Sequence, residues 1–128
     1  MALIVVDASI AIGLLDPADA GHAASVRALL AHADDDVRLP ASALAETLVV
    51  PARHGVMEVA RSHLQELDLG IVAIDEDVAA EAATLRSRHR TLRLPDALVV
   101  AAARMLGADL LLTTDRALAR LAPGQLVR

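Results

Sequence analysis

The chain has 128 residues and contains no phenylalanine, tyrosine or tryptophan, and no cysteine. Without thiols there are no disulfides and no thiolate metal sites, and the simplest setting is the cytoplasm. Without aromatic rings the core falls to Leu, Val, Ile, Ala and Met, and a nucleobase can stack only on Arg or His. Lysine is missing as well: all 12 cationic side chains are arginine, whose planar fork suits phosphate. No apolar run approaches the ~20 residues of a membrane span. The opening run is too short for a secretory signal and has no basic segment before it.

Apolar residues make up 55% of the chain, which argues for a folded domain and against disorder. The share exceeds the usual one, so some apolar surface is expected to serve a partner. The length suits a single domain over residues 1–128. The net charge of −5 is a weak guide, because four acids gathered in one site would leave the remainder nearly neutral.

Hydropathy patterning alternates strands with helices. Residues 2–6 (ALIVV), 37–39 (VRL), 70–74 (GIVAI) and 109–114 (DLLLTT) read as strands, with an edge strand at 125–127. Between them, helices are expected at 10–15, Ala18–Ala33, Ala41–Arg53, Val56–Leu67, Glu76–Arg88, Pro95–Met105 and Arg116–Leu121. In the second of these, Val26, Leu29 and Leu30 share a face. Asp34, Asp35 and Asp36 read as an acidic turn. Pro51 should kink or end its helix, and Gly107 should stop the helix before it. Such alternation implies an α/β fold: a three-layer α/β/α domain on a central, mainly parallel sheet of four to five strands.

In such sheets ligands bind beyond the carboxyl ends of the strands. Asp7 follows ALIVV and Asp115 follows DLLLTT, so both fall there. Each is also a good helix N-cap. Asp96 lies in the first turn of a helix, where a carboxylate complements the macrodipole. Glu46 sits inside the apolar stretch "LPASALAETLVV", one position too late for a capping box from Ser42. A carboxylate there is costly unless it is paired, exposed or bound to metal, and Arg53 is a distant partner at best. Taken together, the four acids can meet at one edge of the sheet. Carboxylates 4 Å apart repel by about 4 kcal/mol per pair at an effective dielectric near 20. A hard cation such as Mg²⁺ takes oxygen ligands of this kind.

The segments "IVVDASIAIGLL", "LAETL", "LPDALVVAAA" and "LLTTDRALARL" occur in the order and rough spacing of PIN-domain ribonucleases. Over nearly its whole length the chain resembles a VapC-type toxin of a type II toxin–antitoxin pair. The resemblance carries the family's acids onto Asp7, Glu46, Asp96 and Asp115, and its supporting hydroxyls onto Ser9 and Thr113. It implies a Mg²⁺- or Mn²⁺-dependent RNA endonuclease, a homodimer, silenced by a cognate antitoxin. The missing aromatics depart from the family and bear on base recognition.

The run "RSRHRTLR" places Arg86, Arg88, Arg90 and Arg93, with His89, just before Asp96. These arginines can grip RNA phosphates or simply solvate a helix end. The five histidines show no tight metal-ligand spacing. Three rivals to the nuclease reading are a flavodoxin-like receiver, a catalytically silent PIN-like module that binds RNA or a partner, and a metal-independent ribonuclease using His89 and an arginine. The receiver would need a pocket lysine, which this chain lacks.

Overall fold

A computed structural model describes residues 1–121 and 123–128. The elements run β1 (Leu3–Val6), α1 (Ala8–Leu15), α2 (His22–Ala31), β2 (Asp36–Pro40), α3 (Ala41–Arg53), α4 (Met57–Glu66), β3 (Gly70–Val72), α5 (Glu76–Arg88), α6 (Leu94–Leu106), β4 (Leu110–Thr113), α7 (Arg116–Ala119) and β5 (Gly124–Leu126). The strands form one sheet in the order β3-β2-β1-β4-β5. Every pairing is parallel, with Val5 opposite Arg38 on one side and Leu111 on the other. The expected α/β/α architecture is present, and its sheet is parallel throughout.

The core matches a chain without aromatic rings. Its largest fully buried side chains include Ile4, Ile10, Leu39, Leu85, Leu111, Leu112 and Leu118. Burying each such side chain contributes roughly 1.5–3 kcal/mol. Helix α6 is buried at Ala97 and again from Val99 to Ala103. Its run of alanines lets the helix lie close against its neighbours, which fixes the position of its first turn. Gly107 ends α6 with φ 65°, a left-handed conformation that glycine adopts at little cost.

The details depart from the sequence reading where short-range hydrogen bonds compete with helix. Helix α2 starts at His22 rather than residue 18, because the Asp16 carboxylate accepts the Ala18 N–H (2.9 Å) and the Asp19 carboxylate accepts the Gly21 N–H (2.8 Å). Its inner face is centred on the fully buried Ser25, and Leu30 is 68% exposed. The reason is a close approach: a Cβ at Gly13 on α1 would lie 2.5 Å from the Ser25 Oγ, so the two helices pack through small residues. Asp36 opens β2 instead of closing a turn. Helix α1 begins at Ala8, two residues earlier than expected, and β3 stops at Val72. Pro51 sits inside α3, which continues only to Arg53.

The strand order determines where a site forms. The chain moves outward from β1 to β2 and β3, then returns to the other side of β1 for β4 and β5. The order therefore reverses between β1 and β4, and a crevice opens beyond their carboxyl ends. The Asp7 N–H donates to the Leu112 carbonyl at 3.3 Å and joins the two strand ends there.

Candidate functional site

Asp7 leaves β1 in an extended conformation (φ −92°, ψ −179°) and caps α1 by accepting the Ile10 N–H at 3.2 Å. It is buried, at 6% exposure. Two hydroxyls hold it from opposite sides. The Ser9 Oγ donates to one carboxylate oxygen and accepts the Thr114 N–H at 3.2 Å. The Thr113 Oγ1 donates to the other oxygen and accepts the Asp115 N–H at 3.0 Å. Each hydroxyl carries one proton, so accepting a backbone N–H leaves that proton for the carboxylate. Ser9 and Thr113 thus tie Asp7 to the turn that presents Asp115. Asp115 in turn caps α7, accepting the N–H groups of Ala117 (2.8 Å) and Leu118 (3.3 Å).

Asp96 sits in the first turn of α6, half-buried, with the Arg93 Nε 3.6 Å from its carboxylate. Glu46 projects from α3 and is exposed. Its position inside an apolar helix therefore entails no full burial, and Arg93, not Arg53, is the cation whose charge acts on it. All four acids line one cavity of about 430 Å³, together with Ser9, Arg93 and Thr114.

The electrostatics of this cavity are unfavourable to the ionised acids. Burial, above all, raises the Asp7 carboxyl above the usual carboxylate range, and the Asp96 charge raises it further. The bonds from Ser9, Thr113 and Ile10 work against that rise. Glu46 is raised by loss of solvent, then by Asp96 and Asp7, with Arg93 opposing. Asp96 is raised by loss of solvent and by Asp115, again against Arg93. Among the described residues lining the cavity, the one guanidinium is that of the exposed Arg93, which opposes the rise at Glu46 and Asp96. Among the described residues, no three acidic or imidazole side chains already close on one point as a formed metal site does. The donor set nevertheless fits a hard divalent cation in kind, being all oxygen and short of positive charge.

The arginine run divides. Arg86 is turned back to the chain, its Nε donating to the Leu92 carbonyl at 3.0 Å. Arg93 borders the acids, whereas Arg88 and Arg90 are exposed and line neither this cavity nor its neighbour. That second cavity, about 510 Å³, shares Arg93, Asp96 and Asp115 with the first and adds His89 and Arg120. Sequence reasoning passed over Arg120, although it stands in the same "TTDRALARL" segment as Asp115. On the opposite side, Ile12 and Glu46 border an apolar groove of about 410 Å³ walled by Val50, Val56 and Val59.

Residues 4–123 match the family model described as the PIN domain. The chain belongs to the PIN domain family. Solved structures similar to this PIN domain agree with its fold. A toxin–antitoxin complex from Klebsiella pneumoniae is 24% identical with a TM-score of 0.73, over 88% of this chain and 86% of that one. VapC20 of Mycobacterium tuberculosis, a toxin that cleaves the sarcin–ricin loop, is 23% identical with a TM-score of 0.77, over 91% and 93%. VapBC2 from Rickettsia felis, solved with a promoter DNA fragment, is 15% identical with a TM-score of 0.79, over 98% and 99%. No curated protein sequence matches the chain. Among the described residues, no helix is long and apolar enough to cross a membrane.

Proposed function

We propose that this PIN domain is a divalent-metal-dependent endoribonuclease and the toxin of a type II toxin–antitoxin pair, acting over residues 1–128 as one domain. The observation that carries the reading is the convergence of Asp7, Glu46, Asp96 and Asp115 on one cavity at the β1/β4 reversal, with a single arginine to offset them. Asp7, Asp96 and Asp115 would hold Mg²⁺ or Mn²⁺, with Glu46 as a further ligand or as the group that orients the attacking water. When bound, the ion lowers the pKa of water and neutralises charge at the leaving oxygen.

The chain's own residues do the rest. Ser9 and Thr113 fix the rotamer of Asp7 and keep its carboxylate an acceptor, as outer partners of ligands do. Arg93 reaches the mouth of the cavity from the start of α6 and can meet a phosphate oxygen. Attack would be in line on the phosphodiester, without a covalent enzyme intermediate. The similar structures that are toxin–antitoxin complexes support a cognate antitoxin as partner. The apolar groove beside Glu46 offers surface for such a partner, and its occupant would cover Glu46 as well. A homodimer and a cytoplasmic location belong to the same reading.

The test is RNA cleavage by the purified protein with Mn²⁺, its arrest by EDTA, and its absence in Asp7→Asn. Cleavage that survives EDTA sinks the metal mechanism. A silent RNA-binding module draws on the open spacing of the acids, and it predicts RNA binding with no cleavage at saturating Mn²⁺.

A further inference from the structure

The cavity next to the acids is balanced in charge, with two guanidiniums against two carboxylates. It is lined by two guanidiniums and an imidazole, from Arg93, Arg120 and His89, and among the described residues its only carboxylates are the two it shares with the acid cavity. Its floor is apolar, formed in part by the buried Leu92 and Leu118. Thr91 adds a hydroxyl at the rim. Among the described residues, neither Arg120 nor His89 takes part in an ion pair. The loop that carries His89 and Thr91 is braced by the Arg86 bond to Leu92. At about 510 Å³ the space lies within the roughly 300–1,000 Å³ of small-ligand sites, enough for one nucleotide.

From this arrangement we infer that the His89–Arg120 cavity holds the nucleotide next to the scissile phosphate of a single RNA strand. The inference rests on the RNA reading above and adds the path of the strand across the protein. Arg120 grips the flanking phosphate, and Arg93, at the shared rim, guides the scissile phosphate toward the acids. The base lies on the apolar floor with His89 against its face. Among the described residues, His89 is the imidazole that lines a cavity with Asp96 and Asp115, whereas His54 and His63 line the groove on the Glu46 side. Thr91 is placed to meet a base edge or a 2′-hydroxyl.

The experiment measures binding of a fluorescent hexauridine RNA in EDTA across a salt series, and cleavage of the same RNA with Mn²⁺. Arg120→Gln is compared with Arg61→Gln, which removes the same charge from an exposed helix pair on α4. Arg120→Gln should weaken binding about fivefold and flatten the plot of log K against log salt by about 0.7, one phosphate contact on a single strand. In cleavage it should raise KM with kcat unchanged, as loss of uniform binding does. His89→Ala should weaken binding by about fivefold, the low end of base stacking, with no change of salt slope. Arg61→Gln should change neither binding nor cleavage. Equal losses in Arg120→Gln and Arg61→Gln, an unchanged salt slope, or no RNA binding by the wild type overturns the assignment. Displacement of RNA by a glutamate-rich peptide that depends on Arg120 overturns it in favour of an acidic protein segment. If the wild type binds RNA through Arg120 and His89 but does not cut it, the cavity stands as an RNA-binding site and the nuclease reading fails.

Discussion

At the amino end of the sheet, Asp35 and Asp109 accept the backbone N–H groups of Ala2 (2.9 Å) and Leu3 (2.7 Å) and so anchor the start of β1. At the carboxyl end, Asp7, Glu46 and Asp96 face one another across a cavity. The chemistry of the side chains is the same and their situations are opposite. The hydrogen bond from Ala2 and then that from His32 hold Asp35 below the usual carboxylate range, and Arg38 does the same for Asp36. Burial and mutual repulsion hold Asp7, Glu46 and Asp96 above it. Ionisation of Asp35 and Asp36 at the amino end favours the fold, whereas ionisation of Asp7, Glu46 and Asp96 opposes it. The difference sets Asp7, Glu46 and Asp96 apart from the acids that anchor the start of the sheet.

The contrast breaks most visibly in activity. Asp7→Asn should lower RNA cleavage by more than ~100-fold, beyond the cost of losing an outer partner of a ligand, whereas Asp109→Asn should leave the rate unchanged. Initial rates with Mn²⁺ decide between them. Thr113→Val keeps the shape but removes the proton held toward Asp7, and should cost ~10–100-fold in Mn²⁺ affinity or in rate.

Stability should respond with opposite signs at the two ends. A carboxyl raised in the folded state binds its proton more tightly there than in the unfolded chain. Its penalty is complete above the raised pKa and fades as the pH falls through it toward the ordinary value. In EDTA at neutral pH, Asp96→Asn should therefore melt at a higher temperature than the wild type, and the gap should narrow on acidification. Thermal melts across pH check both statements. Asp35 and Asp36, with depressed values, contribute stability above the ordinary carboxylate range and lose it as pH falls through their lowered ones. The smallest effect is expected at Asp109: Asp109→Ala should lower stability by ~1 kcal/mol, one hydrogen bond, with cleavage intact. Denaturant midpoints measure it.

Much of this was legible in the sequence, for physical reasons. Buried strands such as LIVV and LLLT are short apolar runs that announce themselves, and strand ends tell where a ligand crevice opens in a parallel sheet. Asp7 and Asp115 could be placed at that edge from this alone, and both prove to be helix caps as well. The exposure of Glu46 could not be read, because it depends on which neighbours α3 meets. The same limit hid the small-residue packing of Gly13 on Ser25, which turns the inner face of α2 away from Leu30. The arginine run read as one cluster, but loop geometry assigns Arg86 to the backbone, Arg93 to the acids and leaves Arg88 and Arg90 in solvent. Arg120 escaped notice because it is alone in sequence and reaches His89 and Arg93 only through the fold.

The most direct test of the central claim is a calorimetric Mn²⁺ titration of wild type and Asp96→Asn, with melting temperatures taken at the end points. The account predicts saturable binding by the wild type and a rise in melting temperature, reaching ~2.7 kcal/mol of added stability at about 100 times the dissociation constant. It predicts that Asp96→Asn starts from a higher melting temperature without metal and gains little from Mn²⁺. A wild type that binds no Mn²⁺ and melts at the same temperature with and without it would contradict the account.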